Sequence, residues 1–160
     1  MIRIDPYKTV DFSIITDFVE AIQEHERNQV PELKSGSSIG KAYAESLIEK
    51  VNQHNGVILI ASSQQQAIGF ICGYVDEDDD MLIEDQFRSY AYISDIFVAS
   101  EWRRKGIASD LLESFEKEMS QRGCRYVRIC SKATNLMSLK CYESSGYNPY
   151  EVIFWKKLKQ

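Results

Sequence analysis

The sequence predicts an α/β fold, a sheet with helices on both faces, and three observations carry the prediction. Segments with apolar residues at helical spacing alternate with short β-branched and aromatic runs. From Gly56 the pattern turns to strands, and from Gly106 to Arg122 it returns to one long amphipathic helix. With 160 residues, 44% of them hydrophobic, the chain can bury one core but is too short for two ordinary domains, so a single domain over residues 1–160 is expected.

Each element has its own reason. Ile2 to Ile4 reads as a short first strand, and residues 10–27 as a helix with Phe12, Ile15, Phe18, Val19 and Ile22 on one face. Pro31 and residues 34–38, rich in serine with one glycine, predict a loop. A second helix follows over residues 39–53, with Tyr43, Leu47 and Val51 on one face. Residues 57–62 and 67–75 read as strands joined by a polar turn at residues 63–66, hence as a hairpin. The acidic run over residues 76–80, with Glu84 and Asp85, breaks the sheet before residues 89–98 resume it. Such a run reads as a solvated loop or as an electrostatic lure for a cation. Residues 106–122 form the clearest helix, with Ile107, Leu111, Leu112, Phe115 and Met119 as its core stripe and Gly123 as its stop signal. A strand over residues 125–130, a helix over 135–145 stopped by Gly146, and a closing strand over 151–158 complete the order β-α-α-β-β-β-α-β-α-β.

The most informative junction is Arg103-Arg104-Lys105-Gly106-Ile107-Ala108, between a strand and a helix. Such a turn aims backbone N–H groups and the positive end of a helix dipole at one point, which suits a pyrophosphate. Gly106 lets the main chain approach closely and Ala108 keeps the next contact small, while an ordinary turn with solvated basic residues is the alternative. A second motif lies downstream, with Asn135, Ser138, Tyr142, Gly146 and Tyr147 in order.

Together the two motifs resemble those of the GCN5-related N-acetyltransferase superfamily. Arg103, Gly106 and Ala108 match its acyl-CoA signature, and Asn135, Tyr142, Gly146 and Tyr147 its second one. Tyr147 stands where phenylalanine is commoner. The resemblance covers the chain from about residue 56 onward. It implies a mixed, mostly antiparallel sheet of six or seven strands, splayed between strands 4 and 5, with the acyl-CoA arm in the gap. It further implies acetyl-CoA as cosubstrate, held by Ile96, Phe97 and Val98, by Arg103 to Ser109 around the pyrophosphate, and by Asn135 and Ser138. The thioester carbonyl is expected near a bulge in the strand that ends at Val98, with the Val98 N–H as oxyanion donor. By the same analogy Tyr142 is the acid at the departing thiolate, since a phenol with a free pKa of ~10 can supply that proton. The alternative for Tyr142 is a core aromatic.

Asp95 is the candidate base, acting directly or through a water. Strand alternation puts it on one face with Ile93 and Phe97, where an aspartate among apolar neighbours needs a partner or a purpose. A structural ion pair is the competing reading. Glu24 and Glu26, with His25, end the first helix, where carboxylates are unfavourable to the dipole, so they are candidates for holding a cationic substrate.

The expected activity is direct transfer of an acetyl group from acetyl-CoA to a primary amine of a small cationic molecule such as a polyamine, aminoglycoside or amino-acid derivative. A protein or peptide acceptor, and a non-catalytic acyl-CoA sensor, are the alternatives. A net charge of −5 argues against a general affinity for nucleic acid. Neither a secretory signal nor an apolar stretch of about 20 residues is present, so a cytoplasmic protein without membrane association is expected. Cys72, Cys124, Cys130 and Cys141 lack Cys-x-x-Cys spacing, which predicts reduced, mostly buried thiols and no metal. Residues 36–41 resemble a phosphate loop only superficially, because Ala42 stands where a hydroxyl is required. Residues 152–155 offer apolar edge material for a homodimer, or equally for core packing.

Overall fold

The computed structural model describes residues 1–159. It contains β1 (Ile2–Pro6), a 3₁₀ turn at Thr9–Asp11, α1 (Phe12–Arg27), α2 (Gly36–Gln53), β2 (Val57–Ser63), β3 (Gln66–Glu77), α3 (Asp85–Arg88) and β4 (Ser89–Val98). A second 3₁₀ turn at Ser100–Trp102, α4 (Ile107–Gln121), β5 (Val127–Ile129) and α5 (Leu136–Ser144) follow. Two compact units divide these elements: Met1–Cys130 holds everything through β5, and α5 belongs to a second unit that begins at Ser131.

In the first unit the sheet order is β1-β2-β3-β4-β5. Neighbours run antiparallel except β4 and β5, which are parallel. The β2–β3 hairpin forms as predicted, with Gln64 and Gln65 at φ 49° and 67°, the left-handed pair that a tight hairpin turn requires. Ile15 and Val19 of α1 and Ala44 and Leu47 of α2 pack on Ile58, Ile60, Phe70 and Cys72. On the opposite face α4 buries Ile107, Leu111, Leu112, Phe115 and Met119, the whole predicted stripe. Because both faces are covered, β2 and β3 read as almost unbroken apolar runs rather than alternating ones. Gly73 makes the fit of α4 possible, since a Cβ there would run into the Phe115 ring.

Three expectations are corrected. The serine-rich stretch predicted as loop is partly helix, because α2 begins at Gly36. Gly36 and Gly40 lie against Glu20 of α1 where any side chain would collide, and the Glu24 carboxylate accepts the Gly36 N–H. This helix–helix contact outweighs the low helix propensity of glycine and serine. The short α3 inside the acidic segment was not expected. The closing strand over residues 151–158 does not form, and the described sheet has five strands rather than six or seven. A strand exists only as part of a ladder, and this segment forms none among the described residues. No described helix is long and apolar enough to cross a membrane.

Candidate active site

The β4 strand organises the site. Its parallel pairing with β5 covers only Ala91, Tyr92 and Ile93, whereas its ladder with β3 runs on to Val98. Residues 94–98 therefore continue beyond β5, which is the expected splay. Between Ile93, opposite Gly73, and Asp95, opposite Cys72, Ser94 is an extra residue: a β-bulge.

The bulge changes which way Asp95 points. Residues paired across a ladder share a face, and Cys72 and Gly73 are neighbours, so Asp95 and Ile93 lie on opposite faces. Simple alternation had grouped them, and the inserted Ser94 is why that fails. Asp95 instead joins Cys72 and Phe97 on the face covered by α1 and α2, where the Phe97 ring lies tilted against Phe18 at 5.1 Å between ring centroids.

There the Tyr43 hydroxyl of α2 donates to Asp95 Oδ2 at 3.1 Å. Burial pushes the Asp95 carboxyl up to about 6, against the hydrogen bonds from Ser94 and Tyr43 that lower it. Glu26 raises it further and Lys50 lowers it, so both charges bear on Asp95. Burial, with the Asp95 charge beside it, holds the Tyr43 phenol far above its ordinary range, so Tyr43 stays protonated as a donor. Cys72 is likewise raised by burial, which makes it an inert thiol. Of the four cysteines only Cys72 is buried, and Cys130 is exposed, which corrects the expectation of mostly buried thiols.

Glu24 and Glu26 part company. Glu24 sits at the N-terminus of α2, so the carboxylate that misfits its own helix end is favourable to the neighbouring one. Glu26 is half-buried and bears on Asp95. The acidic run is also partly committed: Asp78 pairs with Arg128 at 2.9 Å, and its other oxygen accepts the Asp80 N–H. The Asp78 carboxyl is lowered by that backbone bond first and by Arg128 second.

At the basic turn, Arg104 and Gly106 have φ of 59° and 82°. The first intrahelical bond runs from the Asp110 N–H to the Gly106 carbonyl, so the amides of Ile107 and Ala108 precede the helical ladder. Nothing lies within 4 Å of the place where a Gly106 Cβ would be, so a diphosphate has room at the main chain. Arg104, Lys105 and Ser109 are exposed, while the Ile107 side chain is core and offers only its backbone. Arg103 turns back: its Nε donates to the Val98 carbonyl at 2.9 Å, and Lys105 lies over the Trp102 ring at 4.7 Å.

The Val98 carbonyl reveals the polarity of the edge. Ala99 N–H donates to Ile68 on β3, so Val98 faces away from β3, and two residues earlier Ile96 does too. Both present backbone groups on the side where β5 has ended. The bulge is four residues before Val98, so the two parts of the oxyanion expectation fall at different places, and Ile96 is the outward amide nearer the bulge.

In the second unit, Asn135 caps α5 by accepting the Ser138 N–H at 3.2 Å, so both predicted residues serve the helix start. Tyr142 is half-buried, with its ring 6.2 Å from that of Tyr147, and Gly146 at φ 90° ends the helix as expected. Tyr43, the direct partner of Asp95, was read from sequence only as a core-facing position. No spacing rule connects residues so far apart.

Comparison with known proteins identifies the family and the fold. The acetyltransferase (GNAT) family profile matches residues 19–147. Among solved structures, the fold is similar to that of AAC(6')-Iy in complex with a bisubstrate analogue, CoA-S-monomethyl-acetylneamine, with a TM-score of 0.72, 19% identity and 99% of each chain covered. An aminoglycoside 6'-N-acetyltransferase from Acinetobacter haemolyticus gives a TM-score of 0.71 at 18% identity over 99% of each chain. A GCN5-related N-acetyltransferase from Ralstonia eutropha JMP134 gives 0.77 at 15% identity, over 98% of this chain and 99% of that one. At these identities the structures share a fold.

Proposed function

The chain belongs to the acetyltransferase (GNAT) family of acetyl-CoA-dependent N-acetyltransferases, and from that premise we propose that its acceptor is the primary amine of a small cationic molecule. The observation that carries the reading is the Asp95 cluster. A carboxylate raised toward neutrality, held by Tyr43 and flanked by Glu26, stands on the strand that also presents the Ile96 and Val98 edge.

Residues 96–98 would hold the amide-bearing arm of acetyl-CoA as an added strand would be held, and the amides from Lys105 to Ser109 would hold its diphosphate. Bound there, acetyl-CoA supplies the activated acetyl group. An ammonium has no lone pair, so the acceptor gives one proton to the Asp95 carboxylate, directly or through a water, before its nitrogen attacks the thioester carbon. Glu26 adds the negative charge that favours a cationic acceptor. Ile96, nearer the bulge than Val98, is the better-placed oxyanion donor. For Tyr142 the support is the resemblance of its motif: its hydroxyl would give a proton to the thiolate as the carbon–sulfur bond breaks, and the second proton, which the nitrogen sheds on becoming an amide, would restore the phenol. Glu24 is left out of substrate binding because its carboxylate is engaged at α2.

The AAC(6')-type neighbours make aminoglycosides the first acceptors to try, followed by polyamines and amino-acid derivatives. The test is CoA release with a panel of amines set beside lysine-containing and free N-terminal peptides. Activity on small polycations with none on peptides is the expected result. Activity confined to peptides refutes the small-molecule reading, and release with no acceptor at all refutes transferase function.

A further inference from the structure

Beside its carboxylates, the face of the sheet that holds Asp95 carries a cation for which a purely cationic acceptor has no use. Tyr43, Leu47 and Lys50 recur at helical spacing on one side of α2, and Leu47 is buried. Tyr43 reaches Asp95, and Lys50, two turns or about 10 Å further along the helix, sets its ammonium over the Tyr74 ring at 5.7 Å from the centroid. Tyr74 lies two residues beyond Cys72 on β3 and opposite Tyr92, so Asp95, Tyr92 and Tyr74 share one face. The Tyr74 and Tyr92 rings meet edge to face at 5.8 Å, an aromatic floor between the carboxylate and the ammonium. Lys50 is exposed and pairs with no carboxylate among the described residues, yet its charge bears on Asp95 with the sign opposite to that of Glu26. A lysine in the last turn of a helix suits the dipole from any side. On this side it also repels an incoming ammonium, a cost that becomes useful when the acceptor brings an anion of its own.

We propose that the acceptor is a basic amino acid or a derivative of one, its carboxylate bound by the Lys50 ammonium while its side-chain amine is presented to Asp95. The inference rests on the function proposed above and narrows it. The face has a negative end at Asp95 and Glu26 and a positive end at Lys50, with the Tyr74 and Tyr92 rings between them for the methylenes of the ligand. Two strand residues, about 7 Å, separate the level of Asp95 from that of Tyr74, and a chain of three or four methylenes spans that gap. A diamine of the same length sets its second ammonium against Lys50. A lysine inside a peptide offers an uncharged amide there. Only an acceptor with charges of both signs matches both ends of the face.

The test uses the full chain and acceptors matched in amine and chain length that differ at the carboxylate: lysine beside lysinamide and cadaverine, and ornithine beside putrescine. In CoA release, kcat/KM for lysine or ornithine is expected to exceed that for its carboxylate-free counterparts at least about tenfold, the worth of a charge-assisted contact. Lys50→Arg should keep that ratio, Lys50→Gln should abolish it and Lys50→Glu should invert it. Because Lys50 also acts on Asp95, its loss changes the base, but for all acceptors alike, so the ratio isolates the carboxylate contact. The residue is exposed, and circular dichroism on each variant checks that the fold is kept. Wild-type activity on carboxylate-free amines equal to or above that on lysine and ornithine overturns the inference and leaves the transferase reading standing. So does a ratio that survives Lys50→Glu. Release with no amine of the wider panel refutes the transferase reading and the inference with it.

Discussion

Replacing Asp95 by asparagine isolates the carboxylate from the shape around it. Asparagine keeps the volume and can still accept from Tyr43, so what is lost is the charge and its capacity to take a proton. With the carboxyl pushed up to about 6, roughly ten carboxylates exist for each acid at pH 7, and at pH 5 the ratio is reversed. The wild-type kcat/KM should therefore rise through an acid limb near pH 6 and level off above 7. A positioned base contributes about 10²- to 10⁴-fold, so Asp95→Asn should lower the plateau by at least ~10²-fold and remove the limb. Stability provides the internal control, and its sign is fixed. In the folded chain the group titrates at about 6, against ~3.9 unfolded, so between those pH values the folded state holds a proton the unfolded state has released. Wild-type stability attributable to this group is therefore present at low pH and lost as pH rises through 4 to 6. Asp95→Asn escapes that loss and should melt no lower than wild type at pH 7. CoA release measured from pH 5 to 9, with thermal melts on the same samples, reads both quantities. A variant with activity within about threefold of wild type, or one that keeps a limb near pH 6, refutes Asp95 as the base.

Tyr43→Phe removes a hydrogen bond that lowers the Asp95 carboxyl, so the acid limb should move above pH 6, and an unmoved or lowered limb counts against the contact. Tyr142→Phe should reduce kcat at least about tenfold with KM for acetyl-CoA changed far less, because the hydroxyl acts when the thiolate leaves; an equal change in both would make it a binding residue. Gly106→Ala should cost about 1–2 kcal/mol in a thermal melt, from its left-handed backbone alone, since the space beside it is open; an unchanged melt would show that the turn relaxes.

Much of this was legible in the sequence because it is local. The core stripe of α4, the extent of β4, the glycine that stops α5 and the β2–β3 hairpin each follow from periodicity and turn chemistry within a few residues. What was not legible is tertiary. The start of α2 depends on Glu20 and Glu24 of another helix, and the Tyr43–Asp95 bond joins residues that only the α2-on-sheet packing brings together. The fate of residues 151–158 shows the limit from the other side. Their apolar pattern is that of a strand, but a pattern states what a segment can pair with and not that a ladder forms.

The Ser94 bulge explains why recognition of the strand did not yield the direction of Asp95. Without it, a ladder unbroken from Ile93 would place Asp95 on the α4 face, where Phe115 and its neighbours offer an aspartate no donor. One inserted residue turns Asp95 to the face where Tyr43 can reach it. It does so at the position where β5 stops following β4, so the carboxylate and the open strand edge begin within two residues of each other. On the function proposed above, an acyl carrier laid along Ile96 and Val98 and an acceptor held by Asp95 would approach one point of β4 from different sides. On that reading the backbone register, more than any single side chain, would decide where transfer occurs. Deletion of Ser94 would close the bulge yet leave Asp95 opposite Cys72, on the face that Tyr43 reaches, so activity lost in that variant would be owed to the backbone of the bulge and not to the aim of the carboxylate.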